Sequence, residues 1–223
     1  MERFDISIDD LVENPTTRVP VALVLDTSGS MEGEPIRELN EGYRTFIKEL
    51  EEDEMARASA EVCVITFGGT VKLIQDFVGV DRINKNVVFE AGGETPMGSA
   101  VLLALEKLEN RKKLYREAGI DYHQPWMVLM TDGKPTDSIQ EASRKTQELL
   151  ENRKLVVFPV GIGPYADMET LKKFTTQNRP PLRLKGLKFR EFFLWLSKSI
   201  SSVSRSTPGA NIKLADISGW AEL

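Results

Sequence analysis

Histidine and cysteine are almost missing from this chain, which has one of each, His123 and Cys63, among 223 residues. A single cysteine excludes an intrachain disulfide, and it excludes a thiolate zinc site built from this chain alone. Zinc and copper recruit imidazole or thiolate, so centres of that kind lack ligands here. An excess of basic charge is also missing. Lys and Arg number 29 against 34 Asp and Glu, for a net charge of −5, and the two signs are interspersed. Such a chain offers no positive field to a phosphate backbone, and nucleic acid is not expected as a partner. No apolar run approaches the ~18 residues that cross a bilayer, so no membrane contact is expected. Met1 to Asp10 has neither the basic start nor the apolar stretch of a secretory signal. With the lone cysteine, this points to a cytoplasmic protein.

What is present reads as one globular domain. Hydrophobic residues make up 41% and charged residues 28% of the chain, an ordinary globular balance. A domain of this length buries roughly 70–75% of the surface of its unfolded chain. Buried-strand patterns at Val19 to Leu25, Val62 to Phe67, Val71 to Phe77, Trp126 to Met130, Leu155 to Val160 and Leu182 to Leu184 alternate with helical spacing. Ile36, Leu39, Tyr43, Phe46, Ile47 and Leu50 mark the first helix; Val101, Leu102, Leu105 and Leu108 the second; Phe189, Phe192, Phe193, Leu196, Ile200 and Val203 the last. Gly68-Gly69 signals a hairpin, which makes one strand antiparallel, at an edge. The remaining connections are helical crossovers between parallel strands. The expected fold is therefore α/β and doubly wound: a mostly parallel six-stranded sheet with one antiparallel edge strand and helices on both faces, Rossmann-like. The domain spans 18–203. An N-terminal arm, 1–17, precedes it. A linker and tail, 204–223, follow, with Ser-rich sequence up to Pro208-Gly209 and Trp220 near the end, which packs back on the domain or docks on a partner.

In such a fold ligands bind beyond the carboxyl ends of the strands. The first strand is followed directly by Asp26-Thr27-Ser28-Gly29-Ser30, one carboxylate and two hydroxyls at alternate positions. The strand ending at Met130 runs into Thr131-Asp132-Gly133, and Thr95 lies in the loop Gly92-Gly93-Glu94-Thr95-Pro96 before a helix. Each piece alone is ordinary turn chemistry. Together, Asp26, Ser28, Ser30, Thr95 and Asp132 form a set of hard oxygen donors suited to Mg²⁺ or Mn²⁺, and less to Ca²⁺. With so few carboxylates, an ion keeps uncancelled charge and an open position, which a Glu or Asp of a protein partner would fill. The donors are expected as surface groups, with Pro96, Met97 and Gly33-Glu34-Pro35 as the rim.

The same residues resemble the von Willebrand factor A domain family. Val21 to Met31, reading Val-Ala-Leu-Val-Leu-Asp-Thr-Ser-Gly-Ser-Met, is similar to its metal-ion-dependent adhesion motif Asp-x-Ser-x-Ser. Gly92 to Gly98 resembles the segment that supplies a threonine, and Leu129 to Gly133 the one that supplies a second aspartate. The resemblance covers roughly Arg18 to Val203. It implies direct coordination by Ser28, Ser30 and Thr95, with Asp26 and Asp132 acting directly or through water, in a non-enzymatic module for metal-dependent protein interaction. Within the family, the wording Arg-Val-Pro-Val-Ala-Leu-Val-Leu-Asp-Thr-Ser-Gly-Ser-Met, Glu-Thr-Pro-Met-Gly and Met-Thr-Asp-Gly-Lys-Pro-Thr-Asp is similar to bacterial TerY-type proteins of the tellurite-resistance group. That likeness implies a stress-resistance setting beside a protein kinase and a PP2C-type phosphatase. Some of those relatives carry a cysteine-rich zinc module, which a chain with only Cys63 does not match.

The enzymatic alternative is metal-dependent phosphoryl transfer with Asp26 as acceptor and Lys134 and Asp137 nearby. Phosphohydrolases of the haloacid dehalogenase type place a general acid two residues after the nucleophile. Here that residue is Ser28, whose hydroxyl does not readily protonate a leaving group. There is no Gly-x-x-x-x-Gly-Lys loop for a nucleotide. His123 precedes its strand, at the end opposite to any site, and is assigned to packing or surface. Cys63 falls within a strand and is assigned to the core.

Overall fold

The structure, a computed structural model, describes residues 14–210 and 214–222. Most of the expected arm, Met1 to Asp10 included, and Ile212 in the tail lie outside the described residues. In chain order the elements are β1 (Val19–Asp26), a 3-10 turn (Gly29–Met31), α1 (Glu34–Glu52), α2 (Glu54–Ser59), β2 (Ala60–Gly68), β3 (Thr70–Gly79), a second 3-10 turn (Val80–Arg82), α3 (Met97–Ala118), β4 (Trp126–Thr131), α4 (Gln140–Glu151), β5 (Val156–Gly161), α5 (Met168–Lys172), β6 (Leu182–Leu184), α6 (Phe189–Ser204) and β7 (Ala221–Glu222).

All of β1 is buried, because helices cover both faces of the sheet. Alternation along the strand divides its side chains between two cores. Val19, Val21, Leu23 and Leu25 meet Leu39, Tyr43, Phe46 and Leu50 of α1 and Phe192, Phe193, Leu196 and Ile200 of α6. Ala22 and Val24 enter the other core with Met97, Val101, Ala104 and Leu108 of α3 and Ala142 of α4. Cys63 lies in that second core, as its place in the strand predicts, and burial pushes its thiol pKa up.

The strand order is β3-β2-β1-β4-β5-β6-β7. Strands β2, β1, β4, β5 and β6 run parallel, and β3 and β7 are antiparallel edges. The sheet thus has seven strands where six were expected, with antiparallel strands at both edges where one was expected. The extra strand has two residues, too few to show periodicity. It exists because Trp220 is buried beside Phe192 and Trp195, which brings Ala221 and Glu222 against Leu184 and Arg183. The short helix α2 also escapes a reading of periodicity; Asp53 caps it by accepting the Ala56 N–H at 2.9 Å.

The winding reverses at β1, with the strands still parallel: the first crossover places β2 on one side, and the later strands build outward from β4 on the other. The crevice at the carboxyl ends of β1 and β4 is the switch point of the fold. At the opposite ends of the strands the domain is closed by a buried charge network. Glu61 accepts from Arg18 Nε at 3.1 Å and Arg111 Nε at 2.6 Å, and Tyr115 donates its hydroxyl to the same carboxylate. His123 is buried at this end, its backbone N–H bonded to Arg18 O at 2.8 Å, which selects packing over the surface among the two roles expected for it. No described helix is long and apolar enough to cross a membrane.

Candidate metal centre

Asp26 is the last residue of β1, where the chain leaves the sheet and turns. Its Oδ1 accepts the Ser28 N–H at 2.8 Å, a local turn that throws Ser28 and Ser30 to one side. Its Oδ2 accepts the Thr131 hydroxyl at 2.5 Å, which ties the end of β1 to the end of β4. The 3-10 turn that follows is anchored by Met31, fully buried, with its N–H on Ser28 O at 3.0 Å.

The donors converge. Ser28 Oγ and Ser30 Oγ are 3.1 Å apart, and Ser30 Oγ donates to Asp132 Oδ1 at 2.6 Å. Thr95 arrives on its loop by backbone contacts: Gly92 N–H donates to Thr27 O at 2.9 Å, Gly29 N–H to Gly93 O at 3.0 Å and Gly69 N–H to Glu94 O at 2.8 Å. Gly93 has φ +75°, and a Cβ there would lie 2.4 Å from the Gly69 Cα, so only glycine lets the loop lie against the β2–β3 hairpin. A methyl group at Gly133 would stand 3.8 Å from Thr95 Oγ1 and 3.9 Å from Ser30 Oγ, which places both hydroxyls around the Asp132-Gly133 turn. All five residues picked from the sequence meet at the switch point.

Their exposure differs from the expectation of surface donors. Asp26 is 0%, Ser28 2% and Thr95 7% exposed, whereas Ser30 is exposed and Asp132 half-buried. The three loops pack over one another and leave only the outer part of the cluster open. The expected rim also changes: Met97 is fully buried in the α3 core, leaving half-buried Pro96 with exposed Gly33 and Glu34 at the edge.

Burial is the main reason that the Asp26 carboxyl is held above its ordinary pKa of 3.8. Hydrogen bonds from Ser28 and Thr131 pull the other way, and the neighbouring Asp132 adds to the rise. Two acids are thus gathered in a cluster otherwise made of hydroxyls, a costly arrangement that a cation would relieve.

The donor chemistry fits a hard divalent ion. Every donor is an oxygen, and among the described residues no group of three or more His, Cys, Asp and Glu is placed to hold a metal. An ion here would have to take hydroxyl oxygens with its carboxylates. Neighbouring ligands of an octahedral ion with bonds of about 2.0–2.1 Å stand about 2.9 Å apart. The spacings of 3.1 and 2.6 Å along Ser28, Ser30 and Asp132 are of that size.

Sequence reasoning missed three supporting residues. Thr131, which the sequence shows only as the residue before Asp132, is fully buried, and its hydroxyl finds its partner in Asp26. Thr136 accepts the Thr95 N–H at 3.1 Å. Asp137, weighed above as a phosphoryl-transfer group, accepts the N–H groups of Gly98 and Ser99 at 2.8 and 2.7 Å at the start of α3.

The family model for the von Willebrand factor type A domain matches residues 21–190. The chain is 27% identical over 177 residues to inter-alpha-trypsin inhibitor heavy chain 4 of Mus musculus, covering 74% of this chain and 18% of that one. It therefore spans about a fifth of that relative. Among solved structures, the pilus adhesin SpaC of Lactobacillus rhamnosus GG, in an open conformation, superposes with TM-score 0.65 at 14% identity, over 84% of this chain and 30% of that one. The TRAP protein of Plasmodium vivax, solved loaded with manganese, superposes with TM-score 0.57 at 19% identity, over 81% of this chain and 73% of that one. At these identities the superpositions speak for the fold.

Proposed function

We propose, starting from the fact that this chain belongs to the von Willebrand factor type A domain family, that it is a divalent-metal-dependent protein-binding module. Domains of this family mediate protein–protein interactions, often through a metal ion. The observation that carries the proposal is the continuous chain of oxygens from Ser28 through Ser30 to Asp132, with Thr95 beside it. Ser28, Ser30, Thr95, Asp26 and Asp132 would hold Mg²⁺ or Mn²⁺, and the ion supplies an electrophilic position for a partner's Glu or Asp. Exposed Ser30 and half-buried Asp132 leave that position open to solvent, while buried Asp26 holds the loop.

The reading is non-enzymatic. Asp137 is engaged as the cap of α3, and Ser28 stands where a general acid would be needed. The motif wording further supports a place among bacterial tellurite-resistance proteins of the TerY type, in the cytoplasm, with a protein kinase or a PP2C-type phosphatase as the partner supplying the acid. Calorimetric titration with Mn²⁺ and Mg²⁺ tests the site. The parent binds, and Ser28→Ala, Thr95→Ala and Asp132→Ala unfold cooperatively but bind at least about tenfold more weakly. Equal binding by parent and variants would overturn the assignment. Association with a candidate kinase or phosphatase, abolished by chelation and restored by Mg²⁺, tests the partner.

A further inference from the structure

Residues 133–138 leave the site after Asp132 and turn back under the loop that carries Thr95. The contact is reciprocal: Thr95 N–H donates to Thr136 Oγ1 at 3.1 Å and Thr136 N–H donates to Thr95 O at 2.9 Å. One residue on, Asp137 spans the start of α3. Its Oδ1 accepts Gly98 N–H at 2.8 Å, and its Oδ2 accepts Ser99 N–H at 2.7 Å and the Ser99 hydroxyl at 2.8 Å. The fit is tight, since a Cβ on Gly98 would come within 2.3 Å of Ser138 O. Gly133, between Asp132 and Thr136, meanwhile faces Thr95 Oγ1.

From this geometry we infer that Thr136 and Asp137 are positioning residues of the metal centre, a clamp that locks the Thr95 loop and the Asp132 turn into one rigid unit. Neither need touch the ion. Thr95 and Asp132 come from segments far apart in sequence, on α3's approach and β4's exit. Without a cross-tie, each loop would have to be ordered separately when an ion binds, and the affinity would fall by that entropy. The clamp orders them in advance. Asp137 does more here than an ordinary helix cap: the segment that caps α3 is the same one that carries the second acid, so the helix start and the acid are held in fixed register. The third supporting residue, Thr131, performs the matching task between β1 and β4 by bonding Asp26. The inference rests on the metal-binding reading above.

The test is a Mn²⁺ titration of the whole chain with unfolding followed in parallel in chelator. Thr136→Val removes the hydroxyl at nearly constant volume on an exposed residue, and Thr136→Ser restores it. Asp137→Ala removes the cap. Asp53→Ala, which removes the cap of α2, serves as the control for a cap lost away from the site. Thr136→Val and Asp137→Ala are expected to weaken Mn²⁺ binding about tenfold, the size found for groups that orient ligands. Thr136→Ser returns to the parent value, and Asp53→Ala stays within about twofold of it while losing comparable stability. If the parent binds Mn²⁺ and Thr136→Val and Asp137→Ala bind it equally well, the clamp is wrong and the metal site stands. Loss of affinity in Asp53→Ala matching that in Asp137→Ala would also overturn it, because general destabilisation would then account for both. A parent that does not bind Mn²⁺ removes the metal reading and this inference with it.

Discussion

Asp26 and Glu61 are both buried acids on adjacent strands of one sheet, yet they sit at opposite ends of it in opposite electrostatic company. Glu61 meets two guanidinium groups and a tyrosine hydroxyl, so its charge is balanced within the chain. The same contacts act on the partners: burial works against the charge on Arg111, but Glu61 more than compensates and raises its pKa, while burial and then the Glu61 charge raise that of Tyr115. Asp26 is answered only by hydroxyl and amide donors, with a second acid beside it. On the proposed function, the difference separates a carboxylate used for structure from one placed for a ligand. A closed ion network has no remaining valence, whereas two acids lined with hydroxyls gain from an external cation.

Breaking the closed end should have the largest effect. Glu61→Ala leaves Arg18 and Arg111 buried without their carboxylate, and denaturant unfolding is expected to show a loss of about 3–5 kcal/mol, the same with and without Mn²⁺. The open end should behave in the reverse way. Mn²⁺ at about 100 times its Kd stabilises the parent by about 2.7 kcal/mol, while Asp26→Asn, which removes a costly charge, folds as well as the parent in chelator and gains nothing from metal. A large loss of stability for Asp26→Asn in chelator would erase the distinction between the two ends.

Acidification sharpens the contrast. An ion at the site requires ionised Asp26, whose pKa in the metal-free fold is raised mainly by burial. Affinity for Mn²⁺ should therefore weaken as pH falls through a range above the ordinary 3.8, approaching tenfold per unit, about 1.4 kcal/mol. For the fold itself the sign is opposite: with its pKa raised, Asp26 opposes folding once ionised, so metal-free stability gains from this group as pH falls. Titrations across acidic pH, read for affinity and for unfolding, check both. Asp53 supplies the smallest effect and the ordinary sign. Burial alone would raise its pKa, but bonds from Ser201, the Ala56 N–H and Arg205 lower it from 3.8 to about 2. Its contribution is present above 3.8 and is lost as pH falls through about 2. Because the pair with Arg205 is partly exposed, about 1 kcal/mol is expected, absent in Asp53→Asn.

Much of this was legible in the chain because local pattern and tertiary outcome agree. Val19 to Leu25 reads as a buried strand and is one, and an acid directly after such a strand lies at the carboxyl end, whatever the rest of the fold does. Alternation of strands and helices then requires crossovers, and the hairpin at Gly68-Gly69 supplies the antiparallel β3 edge. Asp26, Ser28, Ser30, Thr95 and Asp132 were found in this way, from donor type and position beside strands or a helix. Thr131, Thr136 and Asp137 were not, because their roles depend on partners dozens of residues away or more: Asp26, Thr95 and Gly98. A threonine in a strand or an aspartate in a loop looks the same whether or not such a partner exists.

The sequence by itself determined the layers of the fold and the chemistry of the donor set, since both follow from periodicity and residue type along short stretches. Tertiary structure alone decided how deeply Asp26, Ser28 and Thr95 are buried, that Met97 is core and not rim, and that Trp220 recruits a seventh strand. Those outcomes depend on which loops and helices pack over one another. That is a sum over distant contacts, and no single segment of the chain encodes it.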